Sequence, residues 1–255
     1  MKGTFFQKPF EFKLNVEGET WRQAQGVSGV LTVKNQGSSP VSVEGTRVHL
    51  AYGQLRKVRA KSPGSFQILN TATLTGSTSL DPQKEVQLSW QFPTDLNSPI
   101  SDTGASLFLL YGQAPETDKL GQLQLTFHPS EIIQEFLNAI TVQFRFVQKT
   151  IRSSKGWVQV KLAPPTAKAF AMLEHLNLSF HFDGDTLEVE YEFNIKKIEA
   201  GVAGMNVLKA KKATNQAFTA AQYRLPSGRL NHEIMEAGIR EALSLIATLD
   251  AKTAF

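Results

Sequence analysis

Two histidines in the segment 175–193 belong to the densest group of side chains that could do chemistry. His175 and His181 lie six residues apart on one predicted strand. At the rise of a strand, six residues span roughly 20 Å, so the two rings cannot bind one metal ion together. With a two-residue turn they would face Glu192 and Thr186 across a hairpin. We therefore predict two solvated histidines and no metal site.

Three glutamates follow on the second strand of the same hairpin. Glu188, Glu190 and Glu192 occupy every second position, so they share one face of that strand. General acid and base catalysis needs a carboxyl group in a desolvating pocket, whereas a row of acids along a strand is typical of a solvated face. We predict no catalytic residue in this row.

Other catalytic signatures are missing from the sequence. The chain has no cysteine, which excludes disulfides, thiolate nucleophiles and zinc–thiolate sites. The glycines at 201 and 204 lack the lysine and the spacing of a phosphate-binding loop, and no Gly-x-Ser-x-Gly motif is present. We predict a protein that is not an enzyme and needs no cofactor. One alternative is a metal-dependent or hydrolytic enzyme whose site is assembled from residues distant in sequence. The other is a protein that binds a membrane surface through a basic loop and a terminal helix.

A basic segment is the best candidate for a binding site. It runs into a Ser-Pro-Gly turn, which predicts a solvent-exposed loop. Clusters of arginine and lysine bind acidic or phosphorylated groups of a protein partner. Its alternation with small apolar residues has a second interpretation, a strand edge that charge protects against aggregation. The four predicted binding residues are Arg56, Lys57, Arg59 and Lys61.

The elements that position these residues are strands. In HLNLSFHFDGDTLEVEYEF, apolar residues fall on every second position on both sides of Asp183 and Gly184. This is the pattern of a half-buried hairpin with a tight turn. A two-residue loop at these positions sets Phe180 opposite Leu187, so inward residues meet inward partners.

The same alternation recurs before the hairpin. Short strands separated by turn residues predict a β-sandwich. The expected strands of the first half lie at 10–16, 27–33, 41–52 with a bulge at Gly45, 86–92, 107–111 and 123–127. Further strands at 142–147 and 156–162, together with the hairpin, predict a second sandwich.

A change of period marks the boundary between the two sandwiches. After His128-Pro129, apolar residues at 132, 133, 136, 137 and 140 fit a helix that Ser130 caps. We expect an N-terminal domain at 1–127 and a C-terminal one at 128–198. Residues 199–255 read as a small, basic, flexible arm and a terminal helix.

The terminal helix is expected over 231–249. Asn231 is the expected N-cap, and one apolar face runs from Ile234 to Leu249. Such a face needs a partner surface, either its own sandwich or a second copy in a homodimer. A membrane surface is a poorer fit, because the polar face carries charges of both signs.

Composition limits the partners and the location. The chain has 255 residues, a net charge of +4 and scattered basic residues, which does not favour nucleic acid. No segment reaches the ~18 apolar residues of a membrane span, and the first residues lack the apolar core of a signal peptide. We expect a cytoplasmic protein.

Two stretches carry a family resemblance. LDPQKEVQLSWQFPTDLNSPIS at 80–101 and LQLTFHPSEIIQEFLNAITVQFRF at 123–146 resemble the bacterial sporulation-control protein family. The resemblance covers roughly 10–198; Gln143 replaces the family's usual glycine, and the usual N-terminal helical extension is almost absent. It implies two tandem immunoglobulin-like, arrestin-like β-sandwich domains. It also implies a role in bacterial developmental or stress regulation. We predict a non-enzymatic adaptor or regulator that binds proteins through sheet edges, loops and the groove between domains.

Overall fold

The computed structural model describes residues 1–74, 79–201 and 204–252. The chain divides into two compact units, Met1–His128 and Pro129–Phe255. The sequence places the end of the first domain at residue 127, one residue earlier. Strands dominate both units, so the predicted all-β class is confirmed.

The first unit contains two four-stranded sheets, ordered β1-β2-β4-β9 and β11-β10-β6-β7, and two short strand pairs, β3 with β12 and β5 with β8. The strands are β1 Lys2–Gln7, β2 Phe10–Val16, β3 Trp21–Arg22, β4 Val27–Asn35, β5 Val41–Ser42, β6 Arg47–Gln54, β7 Phe66–Thr73, β8 Ser79–Leu80, β9 Glu85–Phe92, β10 Ala105–Gly112, β11 Gly121–Leu125 and β12 Phe127–His128.

Alternating apolar residues build the core between these sheets. Phe12 and Leu31 from one sheet and Leu50 and Leu107 from the other belong to one buried cluster. Burying each such side chain contributes about 1.5–3 kcal/mol relative to leaving it in water. The first unit is therefore the two-sheet sandwich that the alternation predicts.

A second, smaller apolar cluster lies on the outer face of the sheet that contains β6 and β10. Its buried members include Phe108 and Leu110 of β10. A one-turn helix, α1 (Leu55–Arg59), packs on it through Leu55 and Val58. One face of this sheet therefore packs in the main core, and the other face packs against helix α1.

The described residues of the second unit form one five-stranded sheet, in the order β13-β14-β15-β16-β17, and three α-helices. Its strands are β13 Val147–Ser154, β14 Trp157–Ala163, β15 Leu173–Asp183, β16 Thr186–Gly201 and β17 Gly204–Phe218. Its helices are α2 Glu131–Asn138, α3 Ala220–Tyr223 and α4 His232–Lys252.

Helices cover one face of this sheet, where a sandwich would have a second sheet. The ring of Phe136 on α2 lies 5.3 Å from Phe180, 6.4 Å from Tyr191 and 6.1 Å from Phe218, measured between centroids. Ser130 caps α2, as predicted, since its Oγ accepts from the N–H of Ile133 at 3.5 Å. The described residues of this unit form no second sheet.

The predicted hairpin is present as β15 and β16, but its turn lies one residue later than expected. Asp183 pairs with Thr186, so Gly184 opens the two-residue loop, and Phe180 faces Val189 instead of the predicted residue. Gly184 has φ +57°, and a glycine of positive φ at the first central position is the type II′ pattern. The register moves by two residues, so the inward residues still face inward.

Two other predictions differ from the structure. Residues Ala139–Gln143 form a π-helical turn instead of the start of a strand at 142, because the helical apolar spacing continues to Ile140. The hydroxyl of Thr141 donates to the carbonyl of Leu137 at 2.8 Å within this turn. The segment between residue 199 and the terminal helix, predicted as a flexible arm, instead contains residues 204–218, which pair with β16 as strand β17.

The terminal helix α4 packs on its own unit. The amide of Gln216 on β17 donates to the carbonyl of Gly238 at 3.0 Å, and Lys212 donates to that of Leu245 at 2.9 Å. Ile239 and Ile246 are buried. A homodimer through this helix would therefore have to use its polar face.

Candidate functional site

The predicted basic segment forms helix α1, which is neither an open loop nor a strand edge. At the start of the helix, the N–H of Leu55 donates a hydrogen bond to the carbonyl of Gly104 at 2.8 Å. Because Leu55 and Val58 pack on the sheet, the side chains between and beyond them point away from it. Arg56, Lys57 and Arg59 are accordingly all exposed.

The fourth predicted residue, Lys61, lies just beyond the helix. Its N–H donates to the carbonyl of Val58 at 3.1 Å, and its φ of +48° turns the chain away from the helix axis. Ser62 N–H donates to the carbonyl of Lys57 at 3.0 Å. None of the four predicted cations forms an ion pair with another residue in the described part of the chain. The structure therefore brings the four cations together on one exposed turn.

A hollow of about 460 Å³ lies beside this turn, between residues 62–66 and 115–118. Two acids, Glu116 and Asp118, line its far wall. Glu116 is paired with Lys119, whose Nζ lies 3.3 Å from the carboxylate. The hollow therefore has acidic side chains on the wall opposite the basic turn.

A second candidate site lies on the open face of the sheet in the second unit. A cavity of about 820 Å³ spreads over this face. All five strands contribute side chains to it, among them Arg152, Lys161, His175, Asn177, Glu190 and Asn215. The cations come from β13 and β14, the acids from β16, and amide and hydroxyl groups of β15 lie between them.

Glu192 on this face is held by three donors. The amides of Asn177 and Asn194 donate to Oε1 at 2.9 and 3.1 Å, and Lys211 donates to Oε2 at 3.0 Å. These hydrogen bonds, that of Asn194 first, lower the pKa of the carboxyl group. Glu192 is thus ionised at neutral pH and has no proton to give as a general acid.

The two histidines occupy separate environments on this face. His175 pairs with Asn194 and not with the predicted Glu192, because of the shifted turn. Burial, reinforced by the nearby charge of Lys161, lowers the pKa of its imidazole. It is therefore a neutral ring at pH 7.

His181 is tied into the sheet. Its ring stacks on Trp157 at 4.8 Å between centroids, and its Nδ1 lies 3.1 Å from the carbonyl of Gly156. Its partner on the next strand is Glu188 instead of the predicted Thr186. These contacts give His181 a packing role and hold the β13–β14 turn against β15.

The described residues offer neither a cluster of metal ligands nor a helix that could span a membrane. No group of three or more histidines, cysteines, aspartates or glutamates within 1–74, 79–201 and 204–252 is arranged to hold a metal ion. None of the helices in that part of the chain is both long and apolar enough to cross a membrane.

Sequence reasoning missed the helical form of the basic turn and the cavity in the second unit. The signal for α1 was the spacing of Leu55 and Val58, three residues apart, which sets two apolar side chains on one side of a turn. The signal for the cavity was the outward half of each alternating strand, such as Lys161 and Asn177. Neither signal identifies which strands become neighbours.

Comparisons with known proteins show the fold. No protein-family model matches the chain, and no curated protein does. Among solved structures, the chain is similar to the crystal structure of Spo0M, sporulation control protein, from Bacillus subtilis, with a TM-score of 0.62 and 16% sequence identity. The match covers 94% of this chain and 100% of that one. The chain therefore shares the arrestin-like fold of this neighbour, with helices in place of the second sheet that was expected in the C-terminal domain.

Proposed function

We propose that this chain is a non-enzymatic regulatory protein of the sporulation-control type. It acts in the bacterial cytoplasm as an adaptor and binds protein partners through loops and sheet edges. The similarity to Spo0M over nearly the whole of both chains supports the type of protein. A shared fold is a weak guide to function, so the exposed side chains must carry the argument.

The observation that carries the proposal is the basic turn of the first unit. Arg56, Lys57 and Arg59 are exposed on a helix whose other side packs on the sheet, and Lys61 is exposed just beyond it. A rigid seat reduces the entropy lost when such side chains bind. The forked guanidinium groups suit carboxylates and phosphates, so the partner is acidic or phosphorylated.

A pull-down from the native cytoplasm tests this function. The bait is the full chain, compared with a variant in which Arg56, Lys57, Arg59 and Lys61 are all changed to glutamine. Charge-assisted contacts at an interface contribute roughly 1.5–3 kcal/mol each, so we expect specific partners to be lost from the variant.

A matched control removes the same number of charges elsewhere. Lys149, Lys155, Lys168 and Arg229 are exposed, and their change to glutamine should leave the partners bound. If both baits retain the same partners, the basic turn does not carry the function. If the intact chain retains no specific partner, the adaptor function itself is wrong.

A second candidate function is an enzyme that uses the cavity of the second unit. The cavity favours it because His175, Ser179 and Glu190 come from two strands to one polar face. Glu192 already accepts hydrogen bonds from three donors, so it is not available as a general acid at neutral pH. Stoichiometric metal in the purified protein by elemental analysis would favour the enzyme.

A further inference from the structure

The last strand of one sheet in the first unit has an open edge. β7 lies at the end of the order β11-β10-β6-β7, and among the described strands it pairs only with β6. β9 of the opposite sheet passes near it, yet no backbone hydrogen bond joins the two within the described chain. Open strand edges are templates for the addition of another strand.

The hydrogen-bonding groups on that edge follow from the ladder. Leu74 N–H donates to the carbonyl of Thr46 at 2.9 Å, in line with the pairing of Arg47 with Thr73. Bonded and non-bonded pairs alternate in an antiparallel ladder. The N–H and C=O groups of Thr71 and Thr73 therefore point outward, away from β6.

The composition of β7 differs from that of other end strands. Its sequence, FQILNTAT, has eight residues and no charge, whereas β1, β9, β13 and β17 all contain lysine, arginine or glutamate. β11 is also uncharged, but it has five residues, and its Gly121 lies against the ring of Phe5 on β1. Charged residues normally protect an open edge from pairing. Their absence from β7 marks it as an edge that can accept a strand.

Two exposed apolar side chains accompany the edge. Ile68 and Leu69 are each 39% exposed, and Leu69 is the extra residue where the β6–β7 register shifts. They can contact the alternate side chains of an added strand, which is how such complexes obtain specificity. The edge therefore offers both backbone hydrogen bonds and apolar contacts.

The basic turn stands at one end of this edge. Val58 of α1 and Phe66, the first residue of β7, pack on the same apolar cluster. Phe66 also stacks edge-on against Phe108 at 5.3 Å between centroids. A strand added antiparallel to β7 would run from Thr73 toward Phe66, so its C-terminal end would lie at the end of the sheet where α1 connects β6 to β7.

We propose that β7 and helix α1 form one peptide-binding site. Its ligand is an extended segment of a partner protein that adds antiparallel to β7 and ends in several aspartates or glutamates. The segment's backbone pairs with the outward groups of Thr71 and Thr73, and its carboxylates pair with Arg56, Lys57 and Arg59. This site rests on the proposed adaptor function and specifies how the partner binds.

The test measures binding of a synthetic peptide to the intact chain by fluorescence anisotropy. The peptide alternates threonine and valine over six positions and ends in three glutamates; the control peptide has the glutamates first. We expect the first peptide to bind about tenfold more tightly, because only its acids reach the cations of α1. Equal binding of the two peptides, or none of the first, would overturn the site.

Alternate N-methylation separates strand addition from simple charge attraction. Only every second N–H of an added strand faces the protein. Methylation of that set should weaken binding at least about tenfold, whereas methylation of the other set should leave it nearly unchanged. If both methylated peptides bind equally, no strand is added to β7.

A protein variant locates the charge effect. The change of Arg56, Lys57 and Arg59 to glutamine should reduce the affinity for the first peptide to that for the control peptide. Glutamine at Lys149, Lys155 and Lys168, which are exposed in the other unit, should change neither affinity.

Competition in the pull-down distinguishes failure of the site from failure of the function. Excess acidic peptide should release the partners captured by the intact chain. Partners that stay bound would leave the adaptor function standing and remove this site. Capture of no partner by the intact chain would remove the function, whatever the peptide does.

Discussion

The two units of the chain bury similar strands under different covers. In the first unit, one four-stranded sheet covers another, and Phe12 lies between them with no exposed surface. In the second unit, helices α2 and α4 cover a single sheet, and Phe136 occupies the corresponding position with equally little exposure. Both arrangements supply the apolar layer that a half-buried sheet requires.

The difference also decides which surfaces are free for binding. The first unit uses both sheets for its core, so its binding groups lie on an outer face and an edge, as with α1 and β7. The second unit leaves one whole face of its sheet to water, and polar residues fill it. The candidate binding groups of the first unit therefore lie on an outer face and a strand edge, whereas those of the second unit lie on the open face of its sheet.

The largest expected effect comes from removing the buried ring at the centre of each unit. Phe136→Ala should lower the free energy of unfolding by about 3–5 kcal/mol, since it removes a ring that contacts three others. Phe12→Ala is the matched change in the first unit and should cost a similar amount. Urea unfolding gives the magnitude, and hydrogen exchange by mass spectrometry shows which segments open.

The segments in which hydrogen exchange becomes faster distinguish the two units more directly than the loss of stability does. Phe136→Ala should speed exchange in segments of 129–252, and Phe12→Ala in segments of 1–128. A loss below about 1 kcal/mol for Phe136→Ala would mean that the helix layer is not a core.

The second prediction concerns the contact of α4 with its sheet. A Cβ at Gly238 would lie 2.6 Å from the ring of Phe218 and 2.9 Å from Oε1 of Gln216. Gly→Ala inside a helix normally stabilises by about 1 kcal/mol, but here we expect a loss of about 1–3 kcal/mol from overpacking. Thermal unfolding measures the sign.

The neighbouring residue supplies the control for that change. Ala237 is exposed, and Ala237→Ser should alter the stability by less than about 0.5 kcal/mol. Stabilisation by Gly238→Ala would show that α4 does not press on β17.

The third prediction tests the turn that fixes the register of β15 and β16. Gly184 has φ +57°, and its missing Cβ would meet no atom within 4 Å. Gly184→Ala should therefore cost about 1 kcal/mol through backbone strain alone. Asp183→Ala is the control, because Asp183 is paired within the strand. Equal small effects of the two changes in urea unfolding would contradict the turn assignment.

The sequence predicts these elements unequally. The alternation of apolar residues predicts which side chains of the hairpin face inward. It does not predict the strand register, because a loop at 183–184 and a loop at 184–185 place the same residues inward. The backbone conformation of Gly184 makes that choice. The sequence does not predict strand β17, because its outward residues, such as Ala213 and Asn215, are small or polar. Its pairing with β16 is made by backbone hydrogen bonds, which the side-chain pattern does not show.

The candidate site is predictable to a similar degree. The exposure of Arg56, Lys57 and Arg59 follows from their charge, and the structure agrees. The helix they occupy does not follow, because a five-residue helix is too short to show a period and depends on its seat at Phe108. The open edge of β7 is hidden from sequence because Leu69 interrupts the alternation at a bulge.

The smallest predicted effect lies on the open polar face that distinguishes the second unit. The pKa of Glu192 is lowered in the folded chain, by the hydrogen bond from Asn194 first. The folded state therefore holds the proton less well than the unfolded state. The resulting stability is fully present above the ordinary carboxyl pKa and is lost as the pH falls through the lowered value.

Glu192→Gln should remove this contribution. The side chain is 37% exposed, so solvent screening limits the loss at pH 7 to less than about 1 kcal/mol. The difference from the unchanged chain should shrink as the pH falls below the ordinary value of about 4.5, and urea unfolding at pH 7, 5, 4 and 3 measures it. Glu190→Gln, an exposed acid on the same strand, should show no such difference. If the two variants behave alike at every pH, the donors around Glu192 do not stabilise the open face.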